Sequence, residues 1–290
     1  METNELLKKV RKIEIKTRRL SRNLFAGEYH SAFKGKGMTF SEVREYQYGD
    51  SIRNIDWNVT ARFNHPFIKV FEEERELTVI LMIDVSNSKI FGTRLQSKDE
   101  LITELAALLS FSAIQNNDKI GVIFFSDQVE KFIPPKKGRS HILRIIRELI
   151  EFKPENKQTN LSEALRFLSN AIRKKCTTFI ISDFIDSGYD EALQIAARKH
   201  DVIALKVYDQ RERDLPNVGL IKLKDAETGQ FQWVDTSSKR IRQAYQQWWN
   251  QQQQREKELF NKAGIDSTSL ETGKDYVLSM MQLFKKRDTR

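Results

Sequence analysis

A single cysteine, Cys176, rules out an intramolecular disulfide. Its place at the head of an apolar run reads as a buried, inert thiol. Histidine is scarce too: His30, His65, His141 and His200 are scattered and offer no catalytic pair. No apolar segment approaches the roughly 20 residues needed to span a bilayer. The N-terminal stretch is charged from Glu2 onward and lacks the apolar core of a signal peptide. These absences lead to the expectation of a soluble, cytoplasmic protein without a membrane span. Acidic excess is also missing, since 49 lysines and arginines stand against 40 acidic residues for a net charge of +9. The basic residues concentrate at the ends, from Lys8 to Arg22 and from Lys285 to Arg290. No aromatic residue interleaves the first cluster, which argues against a stacking platform for single-stranded nucleic acid.

With 39% hydrophobic and 31% charged residues in 290, the chain has the composition of a globular protein. Four stretches follow from its patterning. Residues 1–26 read as a basic amphipathic helix, with Leu6, Val10, Ile13, Leu20 and Leu24 on one face and Thr17 filling the gap. That face is expected to dock on the body of the protein, in preference to engaging a partner helix. Residues 27–76 are irregular and strand-rich, punctuated by Gly27, Gly35, Gly37 and Gly49. Residues 77–210 alternate between strand and helix patterns, which predicts a doubly wound, mostly parallel α/β sheet covered on both faces. One antiparallel edge strand is expected where 119–125 turns at Ser126-Asp127-Gln128 into 129–133, closed by Pro134-Pro135. Residues 211–290 read as an extension packed on that domain. It comprises a hairpin about Glu227-Thr228-Gly229, a long polar helix ended by Gly264, a short strand near 266–270 and a closing helix.

The stretch Thr78-Val79-Ile80-Leu81-Met82-Ile83-Asp84 reads as a strand buried on both faces, and Asp84, Ser86 and Ser88 fall where it gives way to a loop. Ligands in open α/β sheets bind at the carboxyl ends of strands. Asp183 likewise follows the apolar strand 177–182, and Thr159 lies in a polar loop before a helix. Were the two strands neighbours, Asp84, Ser86, Ser88, Thr159 and Asp183 would share one edge. Every donor there is oxygen, which suits a hard cation: Mg²⁺ first, Mn²⁺ second. Neutral hydroxyl ligands leave cation charge uncompensated, so an outside carboxylate is the expected further ligand. Each residue alone has a plainer role: Asp84 as a strand end, the serines as turn formers, Thr159 as a helix N-cap.

The order Asp84-x-Ser86-x-Ser88, Thr159, Asp183, with the hairpin Ile120–Ile133 between, resembles a von Willebrand factor A-type domain and its metal-ion-dependent adhesion site. Ahead of it, Gly35-Lys36-Gly37, Phe40, Glu42, Arg44, Glu45-Tyr46, Gly49-Asp50, Arg53, Ile55-Asp56-Trp57 and Ala61-Arg62 resemble the signature of the bacterial domain-of-unknown-function 58 family. That resemblance implies a protein without established catalytic activity, often encoded beside MoxR-type AAA+ ATPases and suspected of a chaperone-like role in maturing protein complexes. It implies metal ligation by those five residues and no other cofactor. Within the signature, Arg44, Glu45, Asp50, Arg53, Asp56 and Arg62 surround Tyr46, Tyr48 and Trp57. They read either as a partner-binding surface or, preferably, as a salt-bridged platform whose rings are buried against the central domain.

Three functions are compatible with these features. The leading one is a non-catalytic, Mg²⁺-dependent protein-interaction module, an adaptor for a MoxR-type ATPase. The second is a metal-dependent phosphoesterase with Asp84 as nucleophile, although Ser86 stands where such chemistry wants an acid/base. The third is nucleic-acid binding through the basic N-terminal helix.

Overall fold

The apolar run that ends in Asp84 forms a middle strand of a six-stranded sheet. The computed structural model describes residues 10, 11, 13, 14, 16, 17, 37–74, 77–86, 97–154, 158–224 and 231–288. In chain order its elements begin with β1 (Gly37–Glu45), α1 (Trp57–Phe63), β2 (Phe67–Glu74), β3 (Thr78–Asp84) and α2 (Lys98–Gln115). Next come β4 (Lys119–Phe125), β5 (Val129–Lys136), α3 (Arg139–Glu151), α4 (Leu161–Ala171), β6 (Thr177–Ser182), α5 (Asp190–Lys199) and β7 (Asp201–Tyr208). The last are α6 (Gln210–Arg213), β8 (Leu220–Lys224), β9 (Phe231–Asp235), α7 (Lys239–Ala263), β10 (Asp266–Glu271) and α8 (Val277–Asp288). No helix among the described residues is long and apolar enough to cross a membrane.

The sheet order is β10-β7-β6-β3-β4-β5, parallel throughout except for β5, which runs antiparallel to β4. Side chains alternate across it with period two. Val79, Leu81 and Ile83 of β3 join Val122, Phe124, Phe179 and Ile181 in one core, under α2, α3 and α8. Ile80 and Met82 enter a second core with Ile123, Phe125 and Ile180, under α4, α5 and the end of α7. Such two-sided burial explains why β3 and β6 read as unbroken apolar runs. The expected doubly wound α/β sheet with one antiparallel edge strand is what the chain forms. β5 continues through Pro134 and Pro135 instead of closing before them, which an edge position permits. The strand predicted near 266–270 is β10, which pairs in parallel with β7 and so belongs to the sheet itself.

Contact density separates residues 34–76 from the rest of the chain. That small unit is an antiparallel β1–β2 pair with α1 between its strands. The expectation of an irregular segment missed α1, whose start is fixed by Asp56: its carboxylate accepts from the backbone of Asn58 and Val59. Arg44 donates two bonds to Asp50, each 2.8 Å, and Lys69 lies 3.5 Å from Asp56. Of the charges expected to pair, Arg44 and Asp50 do so with each other, but the rings are not buried: Tyr48 and Trp57 are exposed and Tyr46 is half-buried. The physical reason is a lack of interior, because Ile68 is the one buried apolar residue among those described in this unit.

At the N-terminal end, the described residues are helical. Val10 is buried and Ile13 packs against the first core. Lys16 reaches Glu104 at 2.6 Å and Arg139 reaches Glu14 at 2.5 Å. This helical face therefore docks on the protein, as its pattern predicted; Leu6, Leu20 and Leu24 lie outside the described residues. So do Lys34-Gly35-Lys36 and the turn Glu227-Thr228-Gly229.

Candidate metal site at the sheet edge

Parallel pairing of β3 with β6 aligns Ile83 with Ile181, so both strands deliver their carboxyl ends to one edge. Asp84 ends β3 and is 3% exposed; Asp183 directly follows β6 and is 7% exposed. Asp84 Oδ2 accepts from the Ser182 hydroxyl at 2.8 Å, and Oδ1 accepts from the Ser86 backbone at 2.9 Å. The Ser86 hydroxyl, fully buried, also bonds to Asp84. Asp183 Oδ1 accepts from the backbone of Ile185 at 3.2 Å. The intervening Phe184 sits at φ 57°, an uncommon value for a bulky residue, and its N–H turns back to Ser182 Oγ at 3.1 Å.

Thr159 is half-buried in a loop held to this same edge. Its neighbour Asn160 donates its backbone N–H to Ser126 O, just past β4, at 2.8 Å. The next residue, Leu161, donates to Asp186 Oδ2, three residues past Asp183, at 2.8 Å. Asn160, not Thr159, is the N-cap of α4, accepting from Glu163 N at 3.0 Å, so the plainer role does not account for Thr159. Ser88 lies outside the described residues. Asp84 at the end of β3, and Ser86, Thr159 and Asp183 in the loops beyond the strands, are thus four of the five predicted positions at one sheet edge.

Burial, and then the nearby charge of Asp183, push the Asp84 carboxyl up to about 6; bonds from Ser86 and Ser182 oppose the shift. Among the described residues no cluster of three or more histidine, cysteine or acidic side chains is arranged to hold a metal. The donor set instead combines two carboxylates with hydroxyls, a composition that suits Mg²⁺ rather than zinc.

Sequence reasoning missed Lys98, Ser182 and Glu212. Lys98, 1% exposed, opens α2 behind the N-cap Ser97 and puts its ammonium 3.1 Å from Asp183 Oδ2 and 2.5 Å from Glu212 Oε1. Burial alone would lower its pKa, but the charges of Asp183 and Glu212 outweigh that and hold it above the ordinary lysine value. One signal was available: a lysine in the first turn of a helix opposes the helix dipole and wants a carboxylate.

The scattered histidines have structural roles where they are described in contacts. His141 Nε2 lies 2.9 Å from Ile120 O, and His200 Nδ1 lies 3.2 Å from Cys176 Sγ. Burial pushes the Cys176 thiol up to about 11 and the His200 imidazole down to about 4, so this pair is neutral and inert, as the buried-thiol reading anticipated.

Several proteins are similar to this chain. The uncharacterised protein Rv1480 of Mycobacterium tuberculosis is 30% identical over 223 residues, covering 76% of this chain and 70% of its own. The uncharacterised protein YeaD of Bacillus subtilis is 28% identical over 109 residues, 38% of this chain and 25% of its own. Among solved structures, BatB from Bacteroides thetaiotaomicron is 17% identical over 74% of this chain and 100% of that one, with a TM-score of 0.49. The SpRpn10 VWA domain is 10% identical over 71% and 94%, with a TM-score of 0.37. These structural likenesses are loose. The family model described as protein of unknown function DUF58 matches residues 42–256, and the chain belongs to that family.

Proposed function

We propose that this chain is a non-catalytic protein-interaction module whose grip on a partner depends on Mg²⁺, with Mn²⁺ as a substitute. The observation that carries the reading is the meeting of buried Asp84 and Asp183 at the ends of two adjacent parallel strands, with the Asp84 carboxyl pushed up to about 6 by burial and then by the charge of Asp183. Asp84, Ser86 and Asp183 would hold the ion with Thr159 from its loop and with Ser88. Bound there, Mg²⁺ would offer an open coordination position to a carboxylate of the partner.

The chain's own residues prepare that edge. Ser182 and Ser86 fix the Asp84 carboxylate by hydrogen bonds, and the Phe184 turn fixes Asp183. Binding is preferred over turnover because Asp84 is enclosed and both its oxygens are engaged, a poor position for an attacking nucleophile. The resemblance drawn from the signature points to a MoxR-type AAA+ ATPase as partner, and that identity is part of the proposal, as is action in the cytoplasm. What is described of the N-terminal helix favours an internal role over nucleic-acid binding: Val10 and Ile13 face the first core and Lys16 pairs with Glu104.

The test is an affinity pull-down from native extract, with Mg²⁺ and with chelator, using the wild type and Asp84→Ala, beside calorimetric titration of Mg²⁺. The expected outcome is a Mg²⁺-dependent partner set containing the ATPase, lost in Asp84→Ala together with Mg²⁺ binding. Equal Mg²⁺ affinity in the two proteins would overturn the assignment, and phosphoester hydrolysis by the wild type would favour an enzyme instead.

A further inference from the structure

Nothing in a divalent-cation site requires a buried lysine beside one of its carboxylates, yet Lys98 provides one. Its ammonium is shared between Asp183 Oδ2, at 3.1 Å, and Glu212 Oε1, at 2.5 Å. Glu212 is itself held in place: its second carboxylate oxygen accepts the Asp209 backbone N–H at 3.0 Å. Asp209 in turn accepts the Thr272 hydroxyl at 2.6 Å, tying this support to the segment after β10. Lysine is a compact charge on a flexible four-carbon stem, able to shift between acceptors by small rotations. Glu212 therefore offers the ammonium a fixed second anchorage, away from Asp183.

We propose that Lys98 is a built-in cation that competes with the divalent ion for Asp183: in the metal-free protein it neutralises Asp183, and when metal enters it rests on Glu212 alone. This rests on the metal reading of Asp84, Ser86, Ser88, Thr159 and Asp183. Its basis is electrostatic. Two cations sharing one carboxylate in a water-poor site repel strongly, because interactions there are screened far less than at the surface. A protein with such a counter-cation stays folded without metal, since Asp183 is never left as an uncompensated buried charge. Lys98 then sets how much metal is needed before the site opens to a partner's carboxylate.

The competition predicts opposite shifts for two variants. Lys98→Met removes the competitor and raises Mg²⁺ affinity about tenfold. Glu212→Gln removes the second anchorage, leaves the ammonium on Asp183, and lowers Mg²⁺ affinity. Calorimetric titration of the full chain with MgCl₂ measures both, and thermal melts in chelator and in saturating Mg²⁺ give a second readout. Lys98→Met should melt lower in chelator and recover more on adding Mg²⁺ than the wild type does. If Lys98→Met fails to fold, the Glu212→Gln shift decides alone. Wild-type binding that depends on Asp84 but is unchanged or weakened by Lys98→Met would overturn the competition and leave the metal reading standing. Absence of Mg²⁺ binding in the wild type, Lys98→Met and Glu212→Gln alike would overturn both. Binding in Lys98→Met without detectable binding in the wild type would support the competition in its strongest form.

Discussion

Asp84 concentrates the chemistry of this protein in one side chain. Its carboxyl is enclosed, faces Asp183, and titrates near 6 instead of the ordinary aspartate value of 3.8. The folded chain therefore binds that proton more tightly than the unfolded chain. By linkage, the contribution of Asp84 to stability falls as pH rises from 3.8 through about 6, and the penalty stays in force above that. Asp84→Asn keeps an acceptor for the Ser86 backbone and removes the titration. Measured in chelator, this variant should gain stability relative to the wild type across that window, and urea titrations at pH 4 and pH 7 would detect it. A constant difference between the two proteins at both pH values would refute the shifted carboxyl. Where Mg²⁺ binds, wild-type affinity should weaken below about pH 6, because the proton and the metal compete for the same oxygens.

Among the elements, the β4–β5 hairpin shows how closely the sheet edge is packed. A Cβ on Gly121 would lie 2.9 Å from Ile133 O, 2.9 Å from Pro135 N and 3.0 Å from Ile80 Cδ1. Two of these are backbone atoms, which no rotamer change can clear. The register of the pair also shifts between Ile120 and Val122, where the chain passes this glycine. Gly121→Ala should cost about 2 kcal/mol by overpacking, read as a lower urea midpoint with an unchanged slope. A wild-type midpoint would mean that β5 relaxes away more freely than its pairing suggests. Elsewhere the elements are joined by buried charge, as where Lys206 of β7 meets Glu256 of α7 at 2.6 Å. The polar helix α7 is thereby attached to the sheet by more than Trp249, Leu259 and Phe260.

The whole molecule divides unevenly. The sheet and its helices own two extensive cores, whereas the unit spanning residues 34–76 buries only Ile68 and Asp56 among its described residues. Chains close to about 40 residues are marginal by themselves, and below that length they usually need a disulfide, a metal or a partner. A peptide of residues 34–76 should therefore show no cooperative thermal unfolding, which circular dichroism can check; a sharp transition would show that the β1–β2 pair and α1 suffice. The exposed rings of Tyr48 and Trp57 belong to this thin unit and follow from its missing interior.

The sequence by itself determined the alternation of strands and helices, because burial on both faces of a parallel sheet writes β3, β4, β6 and β7 as largely apolar runs. It placed Asp84 and Asp183 at strand ends for the same reason, since the first charged residue marks where such a run stops. It did not reveal α1, whose helix starts from the Asp56 cap rather than from an apolar stripe. Nor did it reveal the placement of β10, whose short polar strand carries no pattern that specifies β7 as its neighbour. Only the tertiary structure brought Lys98 and Glu212 to Asp183, across separations in sequence that no local periodicity records. It also decided that Tyr48 and Trp57 are exposed, because ring burial depends on how much interior surrounds them and not on the charges beside them.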